Sequence, residues 1–183
     1  RWLSMADANL IEFTGDTYAT VDYKPLLTNF SLSVVFKTDG VGLCGLIGQT
    51  LFGISDTRWG VWVEDGEIRV QFAGITIYQS ASIYGDSNLH MVSISITRSG
   101  NILTWIDDDL KDTTDISLSS AISMSTIYSN TIGAFNDGTG QPTYPDSANS
   151  AIGQIIIEKE TVWDSTTQSA VYAKAKAIYP TLP

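Results

Sequence analysis

The sequence predicts an all-β protein, built as a two-sheet antiparallel jelly-roll sandwich with one short C-terminal helix. Three observations predict this class: short runs that alternate apolar and polar residues, Gly-containing corners between them, and a composition rich in Ser, Thr, Ile, Val and aromatic residues. At 183 residues with 43% hydrophobic content, the chain suits one domain with one substantial core. We therefore expect a single sandwich domain over residues 1–183.

The first strong strand signal lies in residues 29–38, NFSLSVVFKT. Apolar residues occupy the even positions from 30 to 36, and Ser or Lys occupies most of the odd ones. A period of two over eight residues indicates a strand with one buried face. Shorter strands are predicted at residues 9–14, 17–23 and 43–48.

Two hairpins follow this strand. Residues 59–74 form two alternating runs around an Asp65-Gly66 corner, which supplies the positive φ angles of a tight turn. Residues 89–106 repeat the arrangement around a Ser-Gly-Asn corner. Further strands are predicted at residues 75–79, 131–135 and 152–160. About ten strands at such spacing indicate a two-sheet sandwich.

One helix interrupts the pattern near the C-terminus. Ser165 with Gln168 three residues later predicts a capping box, and Pro180 ends the segment. Three apolar residues share one face of this helix: Val171, Ala175 and Ile178. We expect a helix over about residues 165–178 that docks against the sandwich.

The charge balance restricts the class of partner. The chain has 20 acidic and 10 basic side chains, and its formal net charge of -10 repels phosphate backbones and anionic headgroups. No apolar run approaches the roughly 20 residues that a membrane helix needs. We therefore expect no nucleic-acid partner and no membrane insertion. The single cysteine, Cys44, lies in an apolar run and predicts a small buried side chain.

The order of these motifs resembles the concanavalin A-like lectin/glucanase superfamily, and within it the laminin-G-like (LamG) jelly-roll domains. FSLSVVFKTDG is similar to that family's "ft-lsvWfkt" strand, and LHMVSISITRSGNILTWIDDDL is similar to "WHhVavtrdg-g-l-lYvDG-l". LIGQTLFGISDTRWGVWVEDGEIRVQF, TIGAFNDG and IGQIIIEKETVWDS follow further family segments in order. Leu89 stands where the family usually has Trp, and Ile156 where it often has an acidic residue. The resemblance implies a lectin, adhesin or carbohydrate-binding module.

Catalytic patterns are weak. The related β-glucan hydrolases resemble one another in an E-x-D-x-E or E-x-D-x-x-E strand, and no segment here matches either form. Glu64 and Glu67 straddle a turn and are expected to diverge, whereas Glu158 and Glu160 share a strand face without a third acid. His90 is the only histidine and no G-x-S-x-G turn is present, so we interpret it as a strand histidine at the sheet margin. The sequence predicts that the protein is not an enzyme.

Calcium remains open as a ligand, and no cofactor is assigned. An EF-hand-like loop beginning at Asp107 would need Gly at its sixth position and Glu at its twelfth, where the chain has Asp112 and Leu118. The acidic row at residues 107–109 is therefore interpreted as the corner of a third hairpin. Loop carboxylates could still bind calcium. The candidate donors are Asp16, Asp56, Asp137 and Asp146.

Sugar recognition needs aromatic faces and planar polar groups. Trp62 has the opposite parity to its two valine neighbours, and Tyr78 has the opposite parity to Ile75 and Ile77, so both are expected to face away from the core. The candidate ligand-binding residues are Arg58, Trp59, Trp62, Tyr78, Asn136, Asp137 and Tyr144.

The predicted function is a non-enzymatic recognition module for glycans or glycoprotein surfaces. The alternative is a structural or adhesion domain of a larger surface assembly, such as a virion fibre, tail or capsid decoration protein, that contacts other protein subunits. A laminarinase-like glycoside hydrolase ranks third. Each of these functions implies an extracellular, cell-surface or virion location.

Overall fold

A computed structural model describes residues 10–13, 18–21, 28–40, 42–49, 59–73, 75–120, 122, 130–136, 142–143 and 150–183. The strands in chain order are β1 (Ile11–Phe13), β2 (Ala19–Val21), β3 (Phe30–Thr38), β4 (Leu43–Gly48), β5 (Trp59–Glu64), β6 (Glu67–Phe72), β7 (Ile75–Gln79), β8 (Leu89–Ile96), β9 (Asn101–Ile106), β10 (Asp109–Asp115), β11 (Asn130–Ile132), β12 (Phe135–Asn136), β13 (Pro142–Thr143) and β14 (Ser150–Lys159). A 3-10 helix spans Ser117–Ser119, and helix α1 spans Ser165–Ile178.

The strands form two six-stranded sheets. Sheet A has the order β1-β14-β3-β8-β9-β10, and sheet B has the order β2-β11-β4-β5-β6-β7. Strands β12 and β13 pair separately. Every pairing among the described strands is antiparallel. The predicted antiparallel sandwich with one C-terminal helix is confirmed.

The main core lies between the sheets and uses alternate residues of each strand. In β3, the even positions predicted to be buried do face this core. Sheet A contributes Phe30, Leu32, Val34, Phe36, Val92, Ile94 and Ile96, and sheet B contributes Trp59, Val61, Val63, Ile68, Val70 and Phe72. None of these side chains is more than 1% exposed. Their burial supplies the main hydrophobic stabilisation of the sandwich.

A second apolar cluster lies under helix α1, on the outer face of sheet A. Val35 and Met91, from the odd positions of β3 and β8, pack there with residues of the helix and the segments beside it. The helix contributes Val171, Tyr172 and Ala175, and the chain on either side of it contributes Trp163, Tyr179 and Leu182. The predicted docking of the helix is therefore confirmed, and both faces of β3 and β8 are buried.

The ends of the helix differ in detail from the sequence prediction. Asp164 caps α1, because its Oδ1 accepts a hydrogen bond from the Thr167 amide at 2.8 Å. Its extended backbone suits the cap position, and its charge suits a helix N-terminus. Gln168 is buried under the helix, so the Ser165 capping box was wrong. Ile178 is 44% exposed, because the buried face of the helix consists of residues 168, 171, 172 and 175.

Two tight turns are built from consecutive residues with left-handed backbone conformations. Asp65 and Gly66 join β5 to β6 with φ of 49° and 83°, and Asp107 and Asp108 join β9 to β10 with φ of 52° and 68°. Successive positive φ angles match the right-handed twist of the strands that flank the turn. The predicted Asp-Gly corner and third hairpin are confirmed. None of the described helices is long and apolar enough to cross a membrane.

Candidate functional site

Polar side chains gather on the outer face of sheet B, which helix α1 does not cover. Trp62 lies directly opposite Arg69, Glu64 opposite Glu67, and Arg69 opposite Gln79. Cross-strand partners share one face of a sheet, with Cβ atoms about 5 Å apart. The hairpins therefore bring these five residues together on one face, in two adjacent cross-strand rows over β5, β6 and β7, and we call this group the sheet-B strip.

Direct contacts connect the whole strip. Glu64 Oε2 accepts a hydrogen bond from Trp62 Nε1 at 3.3 Å and lies 3.1 Å from Arg69 Nε. Glu67 Oε2 lies 3.7 Å from Arg69 Nη2 and accepts a hydrogen bond from Gln79 Nε2 at 2.6 Å. The side chains of Arg69, Glu64 and Glu67 are 27%, 38% and 29% exposed. The strip is thus an ordered array of polar groups that solvent can reach.

A neighbouring segment bounds the strip beyond β5. Gly45 of β4 is the cross-strand partner of Trp62, and a Cβ atom at Gly45 would lie only 2.6 Å from the Ala134 carbonyl oxygen. The Gly133 amide also donates to the Gly45 carbonyl at 2.9 Å. Because Gly45 has no side chain, the segment that contains Gly133 and Ala134 can cross the sheet beside Trp62. Asn136, a predicted ligand residue, follows two residues later in β12.

Trp59 and Trp62 face opposite sides of the same strand. Trp62 lies on the outer face, as its parity predicts, although only 8% of it is exposed. Trp59 is fully buried between the sheets, with its ring edge-on to Phe30 at a centroid distance of 5.4 Å. It shares parity with Val61 and Val63, and this pattern could have placed it in the core. In this fold Trp59 therefore offers no surface to a ligand.

Its parity predicts that Tyr78 faces away from the core, and this prediction is wrong. Tyr78 packs toward the core. A bulge in β7 makes Tyr78 the partner of Val70, whereas Thr76 and Ile75 pair with the next two residues of β6. The extra residue reverses the alternation, so Tyr78 packs on the core cluster. Burial raises the pKa of its hydroxyl. A bulge of this kind leaves no clear mark in a single sequence.

The other predicted ligands lie outside the described residues. These are Arg58, Asp137 and Tyr144 among the sugar-binding candidates, and Asp16, Asp56, Asp137 and Asp146 among the calcium donors. Within the described part of the chain, no group of three His, Cys, Asp or Glu side chains is placed to hold a metal ion.

Sequence reasoning missed most of the strip. Glu64 and Glu67 were expected to diverge because they flank a turn, but they converge on Arg69. The available signal was the Asp65-Gly66 turn itself, since a two-residue hairpin places its flanking residues directly opposite each other. Arg69 and Gln79 then follow on the same face of the adjoining strands.

A second polar cluster surrounds His90 at the Asp107 turn. Its Nδ1 lies 2.6 Å from Asp107 Oδ2, and its Nε2 lies 3.1 Å from Asp86 Oδ1. Asp107 Oδ1 also accepts a hydrogen bond from the Met91 amide at 2.8 Å, and Tyr84 packs edge-on to the imidazole. Both ring nitrogens are therefore engaged by carboxylates, so neither is available as a general base toward a substrate.

The two carboxylates also control the protonation of His90. Burial by itself lowers the pKa of the imidazole, but the hydrogen bonds and charges of Asp107 and Asp86 outweigh burial and raise the pKa above its ordinary value. Asp86, whose burial alone would raise its pKa, has that pKa lowered by hydrogen bonds from Asn88 and His90. The folded state therefore favours the charged form of His90.

This arrangement predicts that stability falls as pH rises above the ordinary histidine pKa of about 6.5. Because folding raises the pKa of His90, its contribution is fully present below the unfolded value of about 6.5. It is lost as pH rises through the folded pKa. The Asp86 contribution acts in the opposite direction and at much lower pH, since its pKa is lowered. Chemical denaturation between about pH 5.5 and 9 should show this loss.

The matched control is His90→Gln. Its absolute stability is expected to be lower, so the readout is the slope of unfolding free energy against pH. That slope should be flatter across the same interval than in the unmodified protein. Equal slopes in the two proteins would contradict the proposed role of His90.

Comparison with known proteins shows similarity in fold. No protein-family model and no curated protein sequence matches the chain. The structure resembles the receptor-binding domain of botulinum neurotoxin D, with a TM-score of 0.67 and 12% identity over 94% of this chain and 45% of that chain. It also resembles a serotype D ligand-binding domain in complex with N-acetylneuraminic acid, with a TM-score of 0.64 and 12% identity over 94% of this chain and 43% of that one.

A third similar structure is the binding domain of botulinum neurotoxin DC in complex with rat synaptotagmin II. Its TM-score is 0.62 and its identity 13%, over 90% of this chain and 42% of that chain. The chain thus spans less than half the length of these neighbours. Identities this low show a shared β-sandwich fold, and the three neighbours are described as binding domains.

Proposed function

We propose that this protein is a non-enzymatic glycan-recognition module, related to the LamG-type sandwiches, and that it binds sugars through the sheet-B strip. The observation that carries this proposal is the connected group from Trp62 to Gln79 on the sheet face that helix α1 does not cover. Planar carboxylate, amide and guanidinium groups can form several directed hydrogen bonds to sugar hydroxyls.

The similar solved structures support a recognition role at the level of fold. One is described in complex with N-acetylneuraminic acid. Another belongs to botulinum neurotoxin type C, whose cell entry is described as dependent upon interaction with two ganglioside molecules. The proposal extends glycan recognition as a general role to this chain, without the sialic acid ligands of those neighbours, as a single domain that acts outside the cell, at a cell surface or on a virion. The partner would be a glycan or a glycoprotein.

Glu158 and His90 are engaged in structural contacts and Glu160 lies apart from Glu158, which favours binding over catalysis. Glu158 Oε2 accepts a hydrogen bond from Trp163 Nε1 at 2.8 Å, beside the start of helix α1. Glu160 lies beyond the end of β14 with a left-handed φ of 58°, so the expected carboxylate pair on one strand face is not formed. His90 is held between two carboxylates.

Arg69→Gln tests the proposed site. Removing the guanidinium disconnects Glu64 from Glu67, so we expect affinity for the best glycan on an array to fall at least about tenfold, or 1.4 kcal/mol. Lys174→Gln, on the exposed face of helix α1, removes the same charge far from the strip and should bind normally. Isothermal titration calorimetry measures both, with melting temperatures to verify folding.

Two results would count against the proposal. If the unmodified protein binds no glycan on a broad array, the proposed function is wrong. If Arg69→Gln binds as tightly as Lys174→Gln, glycans bind at another surface.

A protein-contact role in a larger surface assembly is the second candidate. Strand β7 is an edge of sheet B, and it leaves Ile75 56% exposed, while Ile83 in the following segment is 57% exposed. Edge strands with exposed apolar side chains are suited to pairing with another chain. Light scattering that shows a stable oligomer, together with silence on the glycan array, would favour this candidate.

A further inference from the structure

We infer that the sheet-B strip selects uncharged, hydroxyl-rich sugars and discriminates against glycans that carry carboxylate, sulfate or phosphate groups. This inference rests on the proposed function and specifies its ligand class. It depends on which hydrogen-bonding groups of the strip are already engaged.

The strip carboxylates already hold two of its donors by hydrogen bonds and its one cation by ion pairs. The Arg69 guanidinium lies within ion-pair distance of both acids, with Nε 3.1 Å from Glu64 and Nη2 3.7 Å from Glu67, although Nε makes no hydrogen bond among the described residues. The Gln79 amide nitrogen donates to Glu67 at 2.6 Å, and Trp62 Nε1 donates to Glu64 at 3.3 Å. An anionic sugar would have to compete with Glu64 and Glu67 for these same donors.

The acceptors of the strip are only partly used. All four contacts within the strip go to the Oε2 atoms of Glu64 and Glu67. Within the described part of the chain, the Oε1 atoms of both glutamates make no hydrogen bond. An ionised carboxylate has about four acceptor positions and no donor. The strip therefore presents acceptors to a ligand, and sugar hydroxyls can donate to them.

The net charge of the strip also disfavours anionic ligands. Two carboxylates and one guanidinium leave the strip with one excess negative charge, on a chain whose formal net charge is -10. An anionic group on a ligand would meet like charges both at the strip and at longer range. Selectivity of this kind depends on repulsion of the wrong ligand as well as on attraction of the right one.

The test compares matched pairs of oligosaccharides, each measured with and without a terminal sialic acid or a sulfate group, by calorimetry at one fixed ionic strength. We expect the uncharged member of each pair to bind at least tenfold more tightly. Glu64→Gln combined with Glu67→Gln releases Arg69 from its carboxylate partners, so the preference should shrink by at least threefold. Glu12→Gln, in β1 of sheet A, removes one acidic charge away from the strip and should preserve the preference.

The outcomes separate this inference from the proposed function. Equal or tighter binding of the charged members, together with a loss of that binding in Arg69→Gln, would overturn the selectivity and leave glycan recognition in place. A preference that is unchanged in the double variant would also overturn the inference, because the strip carboxylates would not cause it. Absence of binding to every member of every pair would overturn both.

Discussion

Replacing Trp59 by alanine is expected to lower the free energy of unfolding by about 4 kcal/mol, the largest effect that we predict for one substitution. Trp59 is fully buried, and its ring meets Phe30 from the opposite sheet. Removal of the indole would leave a cavity between the two sheets, where rigid strands relax only partly. Urea denaturation of the purified variant measures the loss.

Trp59→Phe is the matched control for this prediction. Within the described residues, the buried indole Nε1 of Trp59 has no hydrogen-bond partner, so phenylalanine keeps an aromatic ring and removes an unsatisfied donor. We expect a loss of about 1 kcal/mol. If Trp59→Ala instead leaves stability unchanged and abolishes glycan binding, then Trp59 is a ligand contact and its assignment to the core is wrong.

Replacing Asp107 by alanine is expected to lower the free energy of unfolding by about 3 kcal/mol. Its carboxylate accepts the Met91 amide at 2.8 Å and holds His90 at 2.6 Å, and its backbone has a left-handed φ of 52°. The change would remove both contacts, leave the Met91 amide unpaired, and place alanine in a conformation that it adopts less readily than aspartate.

Two variants separate these contributions of Asp107. Asp107→Asn preserves the left-handed turn but not the charge, so it should lose less stability than Asp107→Ala and should also weaken the pH dependence due to His90. Asp109→Ala changes a side chain that is 70% exposed, and we expect its effect to stay within about 0.5 kcal/mol. Equal losses for Asp107→Ala and Asp109→Ala would show that the turn contributes no more than an ordinary surface position.

The elements that the sequence predicts best are those defined by short-range patterns. Strands β4 and β7 occupy residues 43–48 and 75–79, and helix α1 occupies residues 165–178, each as predicted. Alternation of apolar and polar residues, Asp-containing corners and helical periodicity act over only a few residues, so they can be recognised without knowledge of the fold. The same short range explains why both hairpin turns were located.

The candidate site was predicted less well, because its groups come from separate strands. Arg69 contacts Glu64 and Glu67 only after the β5–β6 hairpin has set its register. Tyr78 faces the core because of a bulge, which exists only in the pairing of β7 with β6. Residues whose role depends on register cannot be assigned from alternation within one strand.

The cluster of His90 and Asp107 has one feature that local sequence predicts and one that depends on strand pairing. The row of aspartates at residues 107–109 was correctly interpreted as a turn, since aspartate tolerates the left-handed conformation. The contact of Asp107 with a histidine 17 positions away depends on the pairing of β8 with β9.

By itself, the sequence determined the class of fold, most strand positions, the helix and the main turns, because these follow from local patterns of burial and backbone conformation. Only the tertiary structure decided which sheet face the helix covers, which face Tyr78 lies on, and which charges meet on the open face. The physical reason is that hydrogen bonds and ion pairs act over a few ångströms, so their partners are determined by strand order and register.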